Sequence, residues 1–270
     1  MGIAADDVDN NGLIDFFVTN FKDESNTLYL QVSDALFQDM SRTAGLDAAG
    51  NPFVGWGTQF LDADLDGDLD LVVTNGHVED YRDENGEYHM RPQLFRNLGD
   101  TQFQEVAAEQ AGGYFAERFL GRGLATLDWN QDGLTDFAVS NMGSPASLVT
   151  NVTAHTGNFI NVRLHATTTS RDAFYSRVEV RTDHSLWVRQ LCAGSGYHAS
   201  NERQLQFGLG TNAAIRSVRV YWPSGAETLI ENPVTNCTLE LVENQSVGVL
   251  WKDHDVTRLD GVTISRTASH

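Results

Sequence analysis

The 270-residue sequence has a shortage of basic residues and of long apolar runs, and both shortages narrow the possible functions. It has 18 Lys and Arg residues against 37 Asp and Glu residues, a formal net charge of −19. Such a charge disfavours binding to nucleic acid or to an anionic membrane surface. No apolar run approaches the roughly 20 residues of a membrane-spanning helix. We therefore expect no nucleic-acid partner and no membrane insertion.

The N-terminal residues, MGIAADDVD, lack the basic and apolar segments of a signal peptide. An acidic motif begins at Asp7, which leaves little room for a strand before it. The sequence therefore predicts that the chain starts inside a repeat, as a truncated product or fragment of a longer protein.

Cysteine is also scarce, with only Cys192 and Cys237. The two residues are compatible with one disulfide in an exported protein or with two buried thiols. Neither lies in a sequence typical of a zinc site or a thiolate nucleophile.

Acidic residues are abundant, and many of them follow a repeated pattern. Residues 62–70 read DADLDGDLD, with aspartates at positions 1, 3, 5 and 9 and a glycine at position 6. Residues 7–15 (DVDNNGLID) and 128–136 (DWNQDGLTD) repeat the pattern. We call residues 7–15, 62–70 and 128–136 the first, second and third loops. Alternating oxygen ligands around a sharp glycine turn suit Ca²⁺, so the sequence predicts up to three Ca²⁺ sites.

Two loops carry an amide in place of a carboxylate. Asn11 stands at position 5 of the first loop and Asn130 at position 3 of the third. An amide oxygen still ligates Ca²⁺ but brings no charge, so we expect these two sites to bind Ca²⁺ more weakly than the second loop.

The residues after each loop exclude an EF-hand, which needs a glutamate at position 12 and a following helix. Position 12 is Val18, Val73 or Val139, each inside a β-branched and aromatic run that predicts a buried strand. The loops start 55 and 66 residues apart. This spacing suits one four-stranded propeller blade per loop.

The negative charge is confined to the half of the chain that carries the loops. Residues 1–155 contain 26 acidic and 7 basic residues, whereas residues 156–270 contain 11 of each. Ten of the 26 carboxylates are predicted metal ligands. A general effect of acidity on solubility would not be so localised, so the distribution favours cation binding.

The second half of the sequence predicts a different β domain. Alternating strands bounded by Gly, Asn and Pro residues are typical of a β-sandwich or open barrel. Three segments result: propeller blades over 1–155, a β domain over 156–247, and a C-terminal strand with a frayed tail over 248–270.

These patterns resemble two known families. The three loops, each followed by an apolar strand ending in Thr-Asn or Ser-Asn, resemble the FG-GAP or VCBS repeats of integrin-type β-propellers. The second half resembles the ASPIC/UnbV domain, and the combination is similar to bacterial proteins that resemble cartilage acidic protein 1. The matching motifs are SRD at 170–172, GSGY at 194–197, FGLG at 207–210, WPSG at 222–225, GHV at 76–78 and QLFRNLGDTQFQEV at 93–106.

The resemblance implies an all-β fold, a partial integrin-like propeller followed by a β-sandwich-like ASPIC/UnbV domain. Three blades are fewer than such propellers usually have, so we expect an open arc with exposed strand edges. The resemblance also implies a non-enzymatic calcium-binding module, extracellular or at the cell surface, that binds a protein or glycan. Carried over residue by residue, the metal ligands are Asp7, Asp9, Asn11, Asp15, Asp62, Asp64, Asp66, Asp70, Asp128, Asn130, Asp132 and Asp136, with the backbone carbonyls of Leu13, Asp68 and Leu134.

Two alternatives stay open at this point. The chain could be a propeller-based hydrolase or lyase with a site outside the loops, or an inactive fragment of a larger propeller. The Gly/Ser stretch at 193–197 lacks the glycine pattern of a nucleophile elbow, and the sequence shows no other convincing catalytic group.

Overall fold

The computed structural model describes residues 1–80, 87–154, 156–212, 214–252, 255–260 and 262–266. These residues form an all-β fold with a propeller-like arrangement of sheets, as the sequence predicted. Three short helices interrupt the strands: α1 (Asp47–Gly50), α2 (Ala108–Ala111) and α3 (Gly113–Ala116).

The first half forms three antiparallel sheets, and each has its strands in chain order. The first sheet contains β1 (Ile3–Asp6), β2 (Asp15–Val18), β3 (Thr27–Ser33) and β4 (Leu36–Asp39). The second contains β5 (Gly55–Leu61), β6 (Asp70–Asn75), β7 (Gln93–Asn97) and β8 (Phe103–Glu105). The third contains β9 (Gly121–Leu127), β10 (Asp136–Asn141) and β11 (Ser147–Val149). In each sheet a predicted metal loop joins the first strand to the second, so the loops lie at equivalent ends of three blades.

A strand does precede the first loop, although the sequence left little room for it. β1 is only four residues long and pairs antiparallel with β2, with Ile3 opposite Val18 and Asp6 opposite Asp15. The first blade is therefore four-stranded, like the second.

Neighbouring blades share apolar cores. Phe17 and Leu28 of the first blade pack in one cluster with Phe60 and Leu71 of the second. A separate cluster joins the second blade to the third. The strands β1, β5 and β9 lie side by side with β5 in the middle, so they form the inner wall of the arc.

The second half forms two five-stranded sheets, whose strands are β12 (Asn158–His165), β13 (Arg177–Arg181), β14 (Leu186–Gln190), β15 (Gln204–Gly210), β16 (Ser217–Tyr221), β17 (Ala226–Glu231), β18 (Cys237–Val242), β19 (Val247–Lys252), β20 (Asp255–Asp260) and β21 (Thr263–Arg266). One sheet has the order β15-β12-β18-β19-β20 and the other β14-β13-β16-β17-β21. The buried side chains of both sheets form one core, as in a sandwich.

The C-terminal segment contributes more structure than the predicted strand and tail. β19 and β20 extend one sheet and β21 pairs with β17 at the edge of the other. Residues 267–270 lie outside the described part of the chain. The sequence of this segment did not predict these strands, because their pairing depends on residues far away in the sequence.

Both cysteines are free thiols. Burial raises the pKa of Cys237 to about 11, so this thiol stays protonated at neutral pH. In the described part of the chain no helix has the length and apolar character needed to cross a membrane.

Candidate metal centre

The three loops adopt the same backbone conformation. Positions 4 and 6 both have positive φ, which an L residue seldom adopts and glycine adopts readily. The φ angles at position 4 are 56° for Asn10, 59° for Leu65 and 59° for Gln131, and at position 6 they are 88° for Gly12, 98° for Gly67 and 88° for Gly133. The sequence repeat is therefore also a structural repeat.

The aspartate at position 1 of each loop accepts hydrogen bonds from backbone N–H groups of the same loop. In the second loop the Asp62 carboxylate accepts hydrogen bonds from the backbone N–H groups of Asp66 (3.1 Å) and Gly67 (2.9 Å). Asp7 and Asp128 accept the same pair of bonds in the first and third loops. These bonds hold each loop in a tight turn around one carboxylate, which is buried in the first and second loops.

The aspartate at position 9 ties each loop to its blade. Asp70 accepts one bond from the N–H of Ala63 in the loop (3.1 Å) and one from the N–H of Asn97 on the third strand (2.9 Å). Asp15 and Asp136 make the corresponding pairs of bonds in their blades. The loop and the blade therefore share one buried carboxylate.

Carboxylate oxygens converge in two of the three loops. Ligand atoms of Asp7, Asp9 and Asp15 lie within 4.8 Å of one another. The same holds for Asp62, Asp64 and Asp66 in the second loop. No third group of this kind occurs among the His, Cys, Asp and Glu residues that the structure describes. The third loop has an amide at position 3, and Asn130 donates its Nδ2 hydrogen to Asp132 (2.8 Å).

Burial makes these carboxylates costly to ionise in the absence of a cation. Desolvation raises the pKa of Asp7 to about 7, that of Asp70 to about 7 and that of Asp15 to about 6. Burial, followed by repulsion from Asp66 and Asp70, raises the pKa of Asp62 well above its ordinary value. A divalent cation would stabilise the ionised forms.

The second loop also contacts an arginine that the sequence did not predict to be near it. Arg96 of β7 donates a hydrogen bond to Oδ2 of Asp64, and its Nη2 atom lies 3.9 Å from Oδ2 of Asp66. The other Asp64 oxygen, Oδ1, is buried and has no hydrogen-bond partner among the described residues. This orphaned oxygen and the hard-oxygen ligand set fit a bound Ca²⁺.

Side chains of the C-terminal domain contact the backbone of each loop. Trp187 donates its indole N–H to the carbonyl of Gly67 (3.0 Å). Gln206 donates to the carbonyl of Gly133 (2.6 Å), and Arg189 to that of Asp7 (3.3 Å). The two halves of the chain therefore meet at the predicted metal loops.

The sequence profile of the ASPIC and UnbV family matches residues 166–248. The second half is an ASPIC/UnbV domain. Three propeller-like sheets precede this domain, and this arrangement supports an FG-GAP-type repeat protein.

Two curated relatives are similar in sequence to most of the chain. Cartilage acidic protein 1 of Mus musculus is 26% identical over 253 residues, which cover 90% of this chain and 37% of the relative. Cartilage acidic protein 1 of Homo sapiens is 26% identical over 231 residues, which cover 83% of this chain and 33% of the relative. The chain thus spans about a third of the length of the curated relatives it matches.

The glycines of the ASPIC/UnbV motif FGLG allow close contact with the second loop. A Cβ at Gly208 would lie 1.8 Å from Oδ2 of Asp62. Gly210 donates its N–H to the carbonyl of Leu65 (2.8 Å) and has a φ of +56°. A side chain at position 208 would clash with Asp62 and separate the domain from the second loop, so this position requires glycine.

The ASPIC/UnbV domain also covers the inner strands of the arc. Gly196 donates its N–H to Ile3 on β1 (2.9 Å), and Glu202 donates its N–H to Thr126 on β9 (2.9 Å). On β5, Gln59 accepts bonds from Ser195 (2.8 Å) and Asn201 (3.0 Å). The inner strands of the arc are therefore less exposed than the sequence predicted, because the domain forms hydrogen bonds with them.

The raised pKa values predict an unusual pH dependence in the absence of divalent cations. The folded state binds more protons than the unfolded state between the ordinary Asp pKa of 3.8 and the folded values of about 6 to 7. Stability must then fall as pH rises through this window. We expect the melting temperature in EDTA to decrease from pH 4 to pH 7 and this decrease to be smaller with CaCl₂. Thermal unfolding monitored by circular dichroism tests this, and a melting temperature in EDTA that rises over the window would contradict it.

Proposed function

We propose that the chain is a non-enzymatic calcium-binding repeat protein in which Ca²⁺ orders the loops that carry the ASPIC/UnbV domain. The observation that carries the proposal is the convergence of three carboxylates in each of two loops whose backbone the domain contacts. Like charges so close together are destabilising unless a cation lies between them.

The ligand set follows the loop positions. Asp7, Asp9, Asn11 and Asp15 would hold Ca²⁺ in the first loop, and the four residues at the same positions would hold it in each of the other two. The carbonyls of Leu13, Asp68 and Leu134 would add one oxygen each. When bound, Ca²⁺ supplies positive charge that keeps the carboxylates ionised. In the second loop, Arg96 would have to release Asp64.

The setting and partner are part of the same proposal. We place the protein outside the cell or at the cell surface, where sites of roughly 10⁻⁴–10⁻³ M affinity suffice for Ca²⁺ binding. We assign it the binding of a protein or glycan through the propeller surface, as an adhesion module. The resemblance to integrin-type repeats and the contacts that hold blades and domain together support this role.

Calcium titration by isothermal calorimetry, with MgCl₂ as the control, tests the proposal. We expect the tightest Ca²⁺ site in the second loop and an intermediate one in the first, where Asn11 replaces a carboxylate. We expect a weak site in the third loop, which has an amide at position 3 and no cluster of three carboxylates. Position 3 makes few contacts with the loop backbone, so Asp9→Ala and Asp64→Ala should each remove the Ca²⁺ site of its own loop without unfolding the chain. Asn130→Ala should affect only the weak site. Zero bound Ca²⁺ in the folded chain would refute the proposal.

A further inference from the structure

A cavity of about 110 Å³ lies between the inner strands of the arc and the ASPIC/UnbV domain. Its walls include Asp6 at the end of β1, residues 59–61 of β5 and Thr126 of β9. On the other side are residues 189–192 and 204–206 of the domain. The cavity therefore lies where all three blades meet the second half of the chain.

Arg189 is the distinctive group in its wall, because the residue is only 2% exposed. Its Nη1 donates to the carbonyls of Asp7 (3.3 Å) and Val188 (3.0 Å). One face of the guanidinium lies over the ring of Phe207, 5.8 Å from its centre. Its Nε and Nη2 atoms are buried and have no hydrogen-bond partner among the described residues. Such orphaned, charged donors are rare in a folded interior and indicate a missing acceptor.

The acidic groups nearby do not supply that acceptor. Asp6 is the closest, with Oδ1 3.5 Å from Nε, but this oxygen accepts a hydrogen bond from the N–H of Asp7. Glu202 pairs with Arg163 (2.8 Å) and accepts the N–H of Asp128 (2.9 Å). Asp62 also lines the cavity, but both its oxygens accept hydrogen bonds from the second loop.

We propose that this cavity binds a small monocarboxylate, whose two oxygens face the Nε–H and Nη2–H edge of Arg189. Two parallel N–H donors on one edge of a guanidinium match the two oxygens of a carboxylate. A single negative charge is preferred over two, because Asp6, 3.5 Å from Nε of Arg189, repels an entering anion when it is ionised.

The size and lining of the cavity limit the rest of the ligand. A protein cavity of about 150 Å³ accommodates benzene, so one of about 110 Å³ holds about four or five heavy atoms. Leu61, Leu191 and Leu205 line it and can contact a short alkyl group. A carboxylate of the size of acetate meets these limits. Asp62 borders both this cavity and the second loop, but Arg189 is not a proposed Ca²⁺ ligand, so the site extends the function beyond Ca²⁺ binding.

The test is a titration of the full chain with sodium acetate at constant ionic strength, with chloride as the exchanged anion and millimolar CaCl₂ present throughout. Melting temperature and calorimetric heat are the readouts. A ligand of four heavy atoms should bind in the millimolar range or slightly below. We expect a saturable rise in melting temperature with acetate and a smaller one with sodium sulfate.

Three variants identify the site. Arg189→Met should weaken acetate binding by at least about tenfold, because it removes both donors. Asp6→Asn should tighten acetate binding several-fold, because it removes the nearest negative charge. Arg216→Met is the control: this arginine is exposed and paired with Asp183, so acetate binding should not change.

The outcomes separate the possible occupants of the cavity. Saturable acetate binding that depends on Arg189 and strengthens in Asp6→Asn supports the proposal. If Arg189→Met does not fold, the Asp6→Asn result alone decides, and unchanged or weaker binding overturns the proposal. Binding of sulfate but not of acetate overturns the choice of carboxylate. No anion dependence in the wild-type chain means that the cavity holds only water, which also overturns it.

Discussion

Asp70→Ala is expected to lower the free energy of unfolding by about 4 kcal/mol in the presence of Ca²⁺. The Asp70 carboxylate is buried and accepts the N–H groups of Ala63 and Asn97. Alanine leaves both donors without an acceptor in the interior and removes a ligand from the second loop. Urea unfolding in CaCl₂ and in EDTA measures the loss in each condition.

The difference between the free-energy losses in CaCl₂ and in EDTA shows how much of the effect of Asp70 depends on Ca²⁺. In EDTA the loss of unfolding free energy should be smaller. Burial raises the pKa of Asp70 to about 7, and the ionised carboxylate repels its neighbours, so removing it also relieves an unfavourable interaction. Asp34→Asn is a matched control because Asp34 is an exposed aspartate in the turn between β3 and β4. Equal losses in CaCl₂ and EDTA would show that Asp70 has only a structural role.

Trp187→Ala is expected to destabilise the chain by about 3–5 kcal/mol and to weaken Ca²⁺ binding at the second loop. The Trp187 side chain is 5% exposed, packs in the core of the ASPIC/UnbV domain and bonds to the carbonyl of Gly67. Its ring is so close that a Cβ at Gly67 would lie 2.9 Å from the indole nitrogen. Chemical unfolding and calcium calorimetry of the variant measure the two effects.

Two further variants separate packing from the hydrogen bond. Trp187→Phe keeps a ring in the core but loses the indole N–H, so we expect a loss of about 1 kcal/mol from the missing bond plus a smaller packing defect. Trp251→Ala is the control, since Trp251 is 43% exposed on β19 and should cost about 1 kcal/mol or less. If Trp187→Ala leaves the calcium affinity of the second loop unchanged, the contact with Gly67 does not order that loop.

The loops were the most predictable part of the molecule, because their signal is local. Nine residues determine the turn, and the glycines at position 6 do have positive φ. The strands after each loop were predictable for the same reason, since β-branched runs such as the one around Val73 must be buried. The ASPIC/UnbV domain followed from short motifs in a fixed order.

The missed features depend on residues that are far apart in sequence. Nothing near Arg96 in the sequence indicates that it reaches Asp64, 32 residues earlier. Trp187 contacts a glycine 120 residues away. The buried position of Arg189 could not be predicted either, since arginine in an alternating strand is usually on the exposed face. Tertiary packing decides each of these cases.

The alternating residues after Val247 show a related limit. Their pattern is weak, and β20 and β21 are the edge strands of their sheets. An edge strand needs fewer apolar residues than a central one, so periodicity alone does not distinguish it from a frayed tail.

Thermal unfolding of the full chain in EDTA, in millimolar CaCl₂ and in millimolar MgCl₂ tests the central claim most directly. A cation that binds only the folded state stabilises it by about 2.7 kcal/mol per site at a hundredfold excess over the dissociation constant. We predict a single cooperative transition whose midpoint rises markedly with CaCl₂ and little with MgCl₂. A midpoint that is the same in EDTA and in CaCl₂ would contradict the claim, and the loops would then be acidic turns that need no metal.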